Sequence, residues 1–195
     1  MSSRRVLGIA FVVIVFAIVL YAGWKRPQGP STFEAAFQPG GTVNLDLAVG
    51  RFAIRGTDEN QIRVAIDPSD ARYVHSTVLV NGTTANVKLK GPSNNFGATI
   101  YVPKQVNLNV TQTVGQMRIV NVEGDKNVGL NVGQIIIPMP EDTQWKRVDA
   151  DVNIGSVNAR PWHTEMGGFF RSFHASGQGA YSISAHLDIG EISLE

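Results

Sequence analysis

The chain has 195 residues, 43% hydrophobic and 17% charged, and no cysteine, which excludes disulfides, thiol catalysis and Cys-ligated zinc. Its formal net charge is +1, but Arg4, Arg5, Lys25 and Arg26 all precede the first acid, Glu34, so the remainder carries 13 basic against 16 acidic residues. That remainder has no basic run interleaved with aromatics, and so no electrostatic footprint for nucleic acid.

After a short tail, Met1 to Arg5, the stretch from Val6 to Trp24 runs 19 residues without a charge. As a helix it covers about 28 Å, close to the hydrocarbon thickness of a bilayer. Tyr21 and Trp24 stand at its far end, where amphipathic rings favour the interface. The competing reading is a cleaved secretory signal, but cleavage after Ala22 would leave the large Leu20 at the third position back. The expectation is an uncleaved single-pass membrane anchor, tail in the cytoplasm and body outside. Residues 25–40 read as a linker, broken by Pro27, Pro30 and Pro39. The remaining body, 41–195, has the size of one domain.

The first part of the body shows strand alternation at Thr42 to Ala48, Gly50 to Arg55, Gln61 to Ile66, Thr77 to Val80, Ala85 to Lys90 and Thr99 to Val102. Asn81-Gly82 predicts a hairpin between its flanking strands. Helical periodicity appears nowhere after the anchor, and this half reads as a less regular cap on the repetitive second half.

From Leu108 onward one unit recurs: apolar alternation, then Val or Ile, then Gly, a polar residue, and alternation again. It occurs at Val114-Gly115-Gln116 and Val132-Gly133-Gln134, 18 positions apart, at Ile154-Gly155-Ser156 and Ile189-Gly190-Glu191, and earlier at Val49-Gly50-Arg51. A period near 20 residues points to coils that cannot bury their apolar side alone. Glycine at Gly50, Gly115, Gly133, Gly155 and Gly190 can turn the chain with a positive φ and reset the alternation. The fold class expected is all-β, a single-domain β-solenoid of stacked strands behind one transmembrane helix. Val114, Val132, Ile154 and Ile189 are expected to point into its core.

The segments Tyr101-Val102-Pro103-Lys104 and Thr113-Val114-Gly115-Gln116-Met117-Arg118-Ile119, with the closing Leu187-Asp188-Ile189-Gly190-Glu191-Ile192, carry a likeness. From about residue 41 onward the chain resembles the β-strand-repeat "putative adhesin" domain of bacterial envelope proteins, a group similar to membrane-anchored cell-wall stress-response proteins. The resemblance implies a β-solenoid outside the cytoplasm and brings no catalytic residues with it.

Candidate chemistry is sparse. His163, His174 and His186 follow one another at 11 and 12 residues with Glu165 nearby, but no His-x-x-x-His pattern supports a metal site. Asp149 and Asp151 share one strand face, as do Lys88 and Lys90, and both pairs read as solvated outer faces. No cofactor motif, nucleophile elbow or metalloprotease motif is present. The bulky segment after Pro161 holds Trp162, Phe169, Phe170, Arg171 and Phe173 where the corner spacing is interrupted. It reads either as a cap on the open core or as a partner surface on a loop. Three functions fit: a non-enzymatic membrane-anchored binding or scaffold module of the bacterial envelope, in adhesion or stress sensing, with a protein or polymer partner; a self-associating structural protein; and, against the scarcity of paired carboxylates, a carbohydrate-active β-helix enzyme.

Overall fold

The computed structural model describes residues 32–92, 96–139 and 145–195. The proposed anchor, Val6 to Trp24, lies outside them, and no helix among the described residues is long and apolar enough to cross a membrane. The described residues form eleven strands: β1 Thr32–Ala36, β2 Thr42–Thr57, β3 Gln61–Ile66, β4 His75–Asn81, β5 Thr84–Lys90, β6 Gly97–Pro103, β7 Asn107–Val120, β8 Lys126–Ile137, β9 Trp145–Ala159, β10 Thr164–Ser176 and β11 Tyr181–Leu194. Two three-residue 3-10 turns complete the regular structure, so the body is all-β. The linker composition of 25–40 does not prevent pairing: Thr32–Ala36 lies antiparallel on β3 and Phe37 is buried. Pro39 simply falls beyond the strand's end.

Each long strand is bent. β7 has 14 residues and would span about 45 Å if straight, yet only five residues, 121–125, return the chain to the start of β8, whose Lys126 stands beside Leu108. A return of that length reaches about 20 Å, so the two ends of β7 must lie close together. The bend falls at Gly115, and the same bend occurs at Gly50, Gly133, Gly190 and Gly155, which are ladder partners in parallel register. Their φ angles run from +129° to +156°. The glycines are needed twice over: a Cβ on Gly133 would meet the Gly115 carbonyl oxygen at 1.8 Å, and one on Gly115 would meet that of Gly50 at 1.9 Å. Five glycines thus form one fold line, along which the carbonyls of Gly50, Gly115, Gly133 and Gly190 occupy the space the next glycine's side chain would take.

The strands stack in the order β2-β7-β8-β11-β9-β10, with β9–β10 antiparallel and the others parallel. This is not chain order: β11 is inserted between β8 and β9, and β2 between β7 on one side and β5 and β6 on the other. Beyond β2 the sheet divides. The first arm of β2 continues into β5 and then β4, a hairpin whose turn is Gly82-Thr83, one residue later than the Asn-Gly signal suggests. The second arm continues into β6, β3 and β1. Both arms feed one apolar cluster inside the bend, from Leu45, Val110, Leu130, Leu187 and Val152 on one side to Ile54, Met117, Ile135, Ile192 and Val157 on the other.

The outer faces carry polar ladders. Asn109 donates to Asn44 and Asn44 to Asn86, each at 2.9 Å. Just past the fold line, Gln116 donates to Gln134 at 2.7 Å and Gln134 to Glu191 at 3.2 Å.

Candidate functional site

Residues Val114, Val132, Ile189 and Ile154 point outward, against the expectation that they enter the core: they are 37%, 40%, 46% and 44% exposed. The alternation resets over four residues rather than two, so that the last inward residue of β7's first arm is Gln112 and the first of its second arm is Met117. The residue before each glycine therefore sits on the convex side of the bend. In-register pairing lines these side chains up with the half-buried Val49 at one end and Phe169 at the other. At about 4.8 Å per strand this makes an apolar ridge about 24 Å long, flanked on one side by the Gln116–Gln134–Glu191 ladder.

The ridge ends on β10. The 3-10 turn Arg160–Trp162 carries Pro161 near its start, and His163 at φ +50° reverses the chain into β10. The segment expected as a loop is thus a strand, because β9 offers partners along its whole length except at Phe170 in the bend. Its aromatic residues divide. Phe173 is buried and packs on Trp162 with ring centroids 5.1 Å apart, closing the end of the core. Phe169 and Phe170 are 67% and 80% exposed, the latter at φ +51° in the bend. Arg171 donates from Nε to the Gly167 carbonyl at 2.8 Å, and its guanidinium lies over Gly168. Among the described residues β10 pairs with β9 alone, and no strand covers its other edge.

A second feature is a half-open cavity of about 380 Å³ at the returning ends of the coils, lined in part by Lys126, Trp145, Tyr181, Glu123 and Ile137. Lys126 is 4% exposed. Its ammonium donates to the Gly124 carbonyl at 2.9 Å and stands 4.8 Å from the Trp145 ring centre. Burial lowers its pKa to about 8, against the opposing pull of Asp125 and Glu123. Trp145 Nε1 is buried without a partner among the described residues. Gln112 is another polar side chain inside the bend, where its Nε2 donates to the carbonyls of Gly50 and Val114 at 2.8 and 3.0 Å. Sequence reasoning missed both residues, although the signal was there: Lys126-x-Val128-x-Leu130 and Leu108-x-Val110-x-Gln112 set each in phase with core residues.

The histidines do not converge. His174 bonds Asp149 at 2.8 Å and His186 lies 3.3 Å from Asp188, while His163 sits in the turn before β10. Burial pushes the Asp149 carboxyl upward, but His174 and Arg147 outweigh it and hold it below the usual carboxylate range. Asp149 and Asp151 lie on the outer face of β9, opposite His174 and Ser172 of β10. Among the described residues no group of three or more His or acidic side chains is placed to hold a metal ion.

No protein-family model matches the chain, and no curated protein matches it in sequence. Solved structures do. A "putative cell adhesion protein" from Clostridium sporogenes aligns over 85% of this chain and 98% of its own with a TM-score of 0.52 at 15% identity. A "putative adhesin" from Bacteroides fragilis aligns over 84% and 96% with a TM-score of 0.33 at 10% identity. A "putative lipid binding protein" from Parabacteroides distasonis aligns over 86% and 97%, at 0.23 and 12%. The chain has an all-β fold of many strands in one sheet, shared with the clostridial protein across nearly that protein's whole length.

Proposed function

We propose that this chain is a non-enzymatic binding module of the bacterial cell envelope, anchored by Val6 to Trp24 with residues 32–195 outside the cytoplasm, and that it binds an extended envelope polymer along the outside of its bend. We further read the parallel stack as a solenoid with two intercalated strands. The observation that carries the function is the ridge of Val114, Val132, Ile189, Ile154 and Phe169 beside the hydrogen-bonded Gln116–Gln134–Glu191 ladder. Apolar side chains at a fixed spacing give contact area, and adjacent amides give directional hydrogen bonds, the combination found in sites that hold a partner in one orientation. Glycine bends locked by backbone contact keep the surface rigid, so little ordering entropy opposes binding.

Co-sedimentation of the full chain with isolated bacterial cell-wall sacculi tests this. The chain should pellet with sacculi, and Val132→Asn with Ile154→Asn should weaken binding at least tenfold while leaving thermal unfolding nearly unchanged, because both side chains are already half exposed. Absence of binding, or binding that survives both substitutions, overturns the reading.

A further inference from the structure

We propose that the open edge of β10 pairs antiparallel with β10 of a second copy of this chain, extending both bent sheets into one with a shared core, whether or not the ridge takes a polymer. A 13-residue edge strand presents a row of backbone groups with no strand opposite among the described residues, and such an edge is a template for another strand.

The bend selects both the partner and the register. In one arm of β10, Phe173 and Arg171 stand opposite the buried Ala150 and Val152; in the other, Met166 and Thr164 stand opposite the buried Val157 and Ala159. Phe173 is buried and Met166 and Thr164 are half-buried, while Arg171 is exposed and folds back over Gly168; between Met166 and Arg171 lie four residues, Gly167-Gly168-Phe169-Phe170, which make the turn. A two-fold axis through that turn lays bend on bend and matches Phe173 with Thr164 and Arg171 with Met166 of the second copy, so the core-facing Phe173 meets the core-facing Thr164 while the Arg171 guanidinium stays on the turn. A shift of one residue either way sets core-facing side chains against solvent-facing ones.

The same register makes the turn self-complementary. Phe169 falls opposite Gly168 of the second copy and Phe170 opposite its Gly167. The two exposed rings of each copy thus fall on the two glycines of the other, where Phe169 also meets the Arg171 guanidinium that lies over Gly168. Four such rings remove on the order of 600 Å² from water, and the paired backbone carries the interface toward the roughly 1,000 Å² that a specific contact must clear. The far end of the stack cannot serve instead. There the sheet has divided, leaving β1 with five residues in one arm and β4 with seven in the other, and neither presents a bent edge. The contact is therefore isologous and closes at two copies. Each ridge then meets the other end to end at Phe169.

Paired cysteines in the full chain test the register, with no native cysteine to interfere. Glu165 and Ser172 oppose one another between copies and lie seven positions apart within one, so a link within one copy leaves a monomer and only a link between copies gives a covalent dimer. Glu165→Cys with Ser172→Cys should oxidise to a covalent dimer. Glu165→Cys with His174→Cys, displaced by two residues, should link at least tenfold more slowly. Adding Phe169→Ala and Phe170→Ala to the first pair should reduce its dimer at least tenfold, with thermal unfolding unchanged because both rings are exposed. Thiols that label fully with maleimide yet form no dimer, equal rates at the displaced pair, or linking indifferent to the alanines would each overturn the proposal.

Discussion

Lys126 shows how one residue can set a pH response for the whole body. Its pKa is lowered to about 8 in the folded state, chiefly by burial, and returns to about 10.4 in an unfolded chain. Between those values the unfolded state binds more protons, so stability rises with pH through that window; below pH 8 the buried charge is a fixed cost. The rise attributable to Lys126 amounts to about 3 kcal/mol across the window. Denaturant midpoints from pH 7 to 10 should climb more steeply in the native protein than in Lys126→Met, which removes the buried charge and keeps an apolar stem beside Trp145. Equal slopes would show that the ammonium finds water. The reason the residue escapes a first reading is general: a lysine in a strand is taken as outward-facing, and only its phase with Val128 and Leu130 says otherwise.

At the scale of the element, the fold line makes a sharp distinction between glycines in the same strand. Gly133→Ala should destabilise the body by about 3 kcal/mol or more, since the methyl group would meet the Gly115 carbonyl oxygen at 1.8 Å and the residue is held at φ +138°. Gly129→Ala, four residues earlier in β8, would place its methyl 4.0 Å from the Val110 carbonyl and should be neutral or stabilise slightly by restricting the unfolded chain. Equilibrium urea unfolding of the two variants checks both. The repeat unit was legible as an element because Gly recurs between two alternating runs. The face of the residue before it was not, because a glycine at positive φ moves its neighbour to the convex side, and alternation alone counts residues without knowing how many the bend consumes.

For the whole molecule, the proposed topology has a direct measurement. A reporter active only in the cytoplasm should be silent when fused after Glu195, and amino-terminal sequencing of the native protein should begin ahead of Val6; an active reporter or a start after Trp24 would overturn one half or the other. The sequence by itself determined that the body is all-β and built from glycine-bent repeats, because alternation and glycine are local properties that each unit states for itself. It also placed bulky aromatics after Pro161. Only the tertiary structure decided that Trp162 and Phe173 close the core while Phe169 and Phe170 stand outside, since that depends on which residues of β9 lie opposite. Strand order was likewise decided in three dimensions. Units with nearly the same sequence offer nearly the same ladder of partners, so no local pattern says that β11 should enter between β8 and β9; the position follows from burying Ile183, Leu187 and Ile192 between two like neighbours at once.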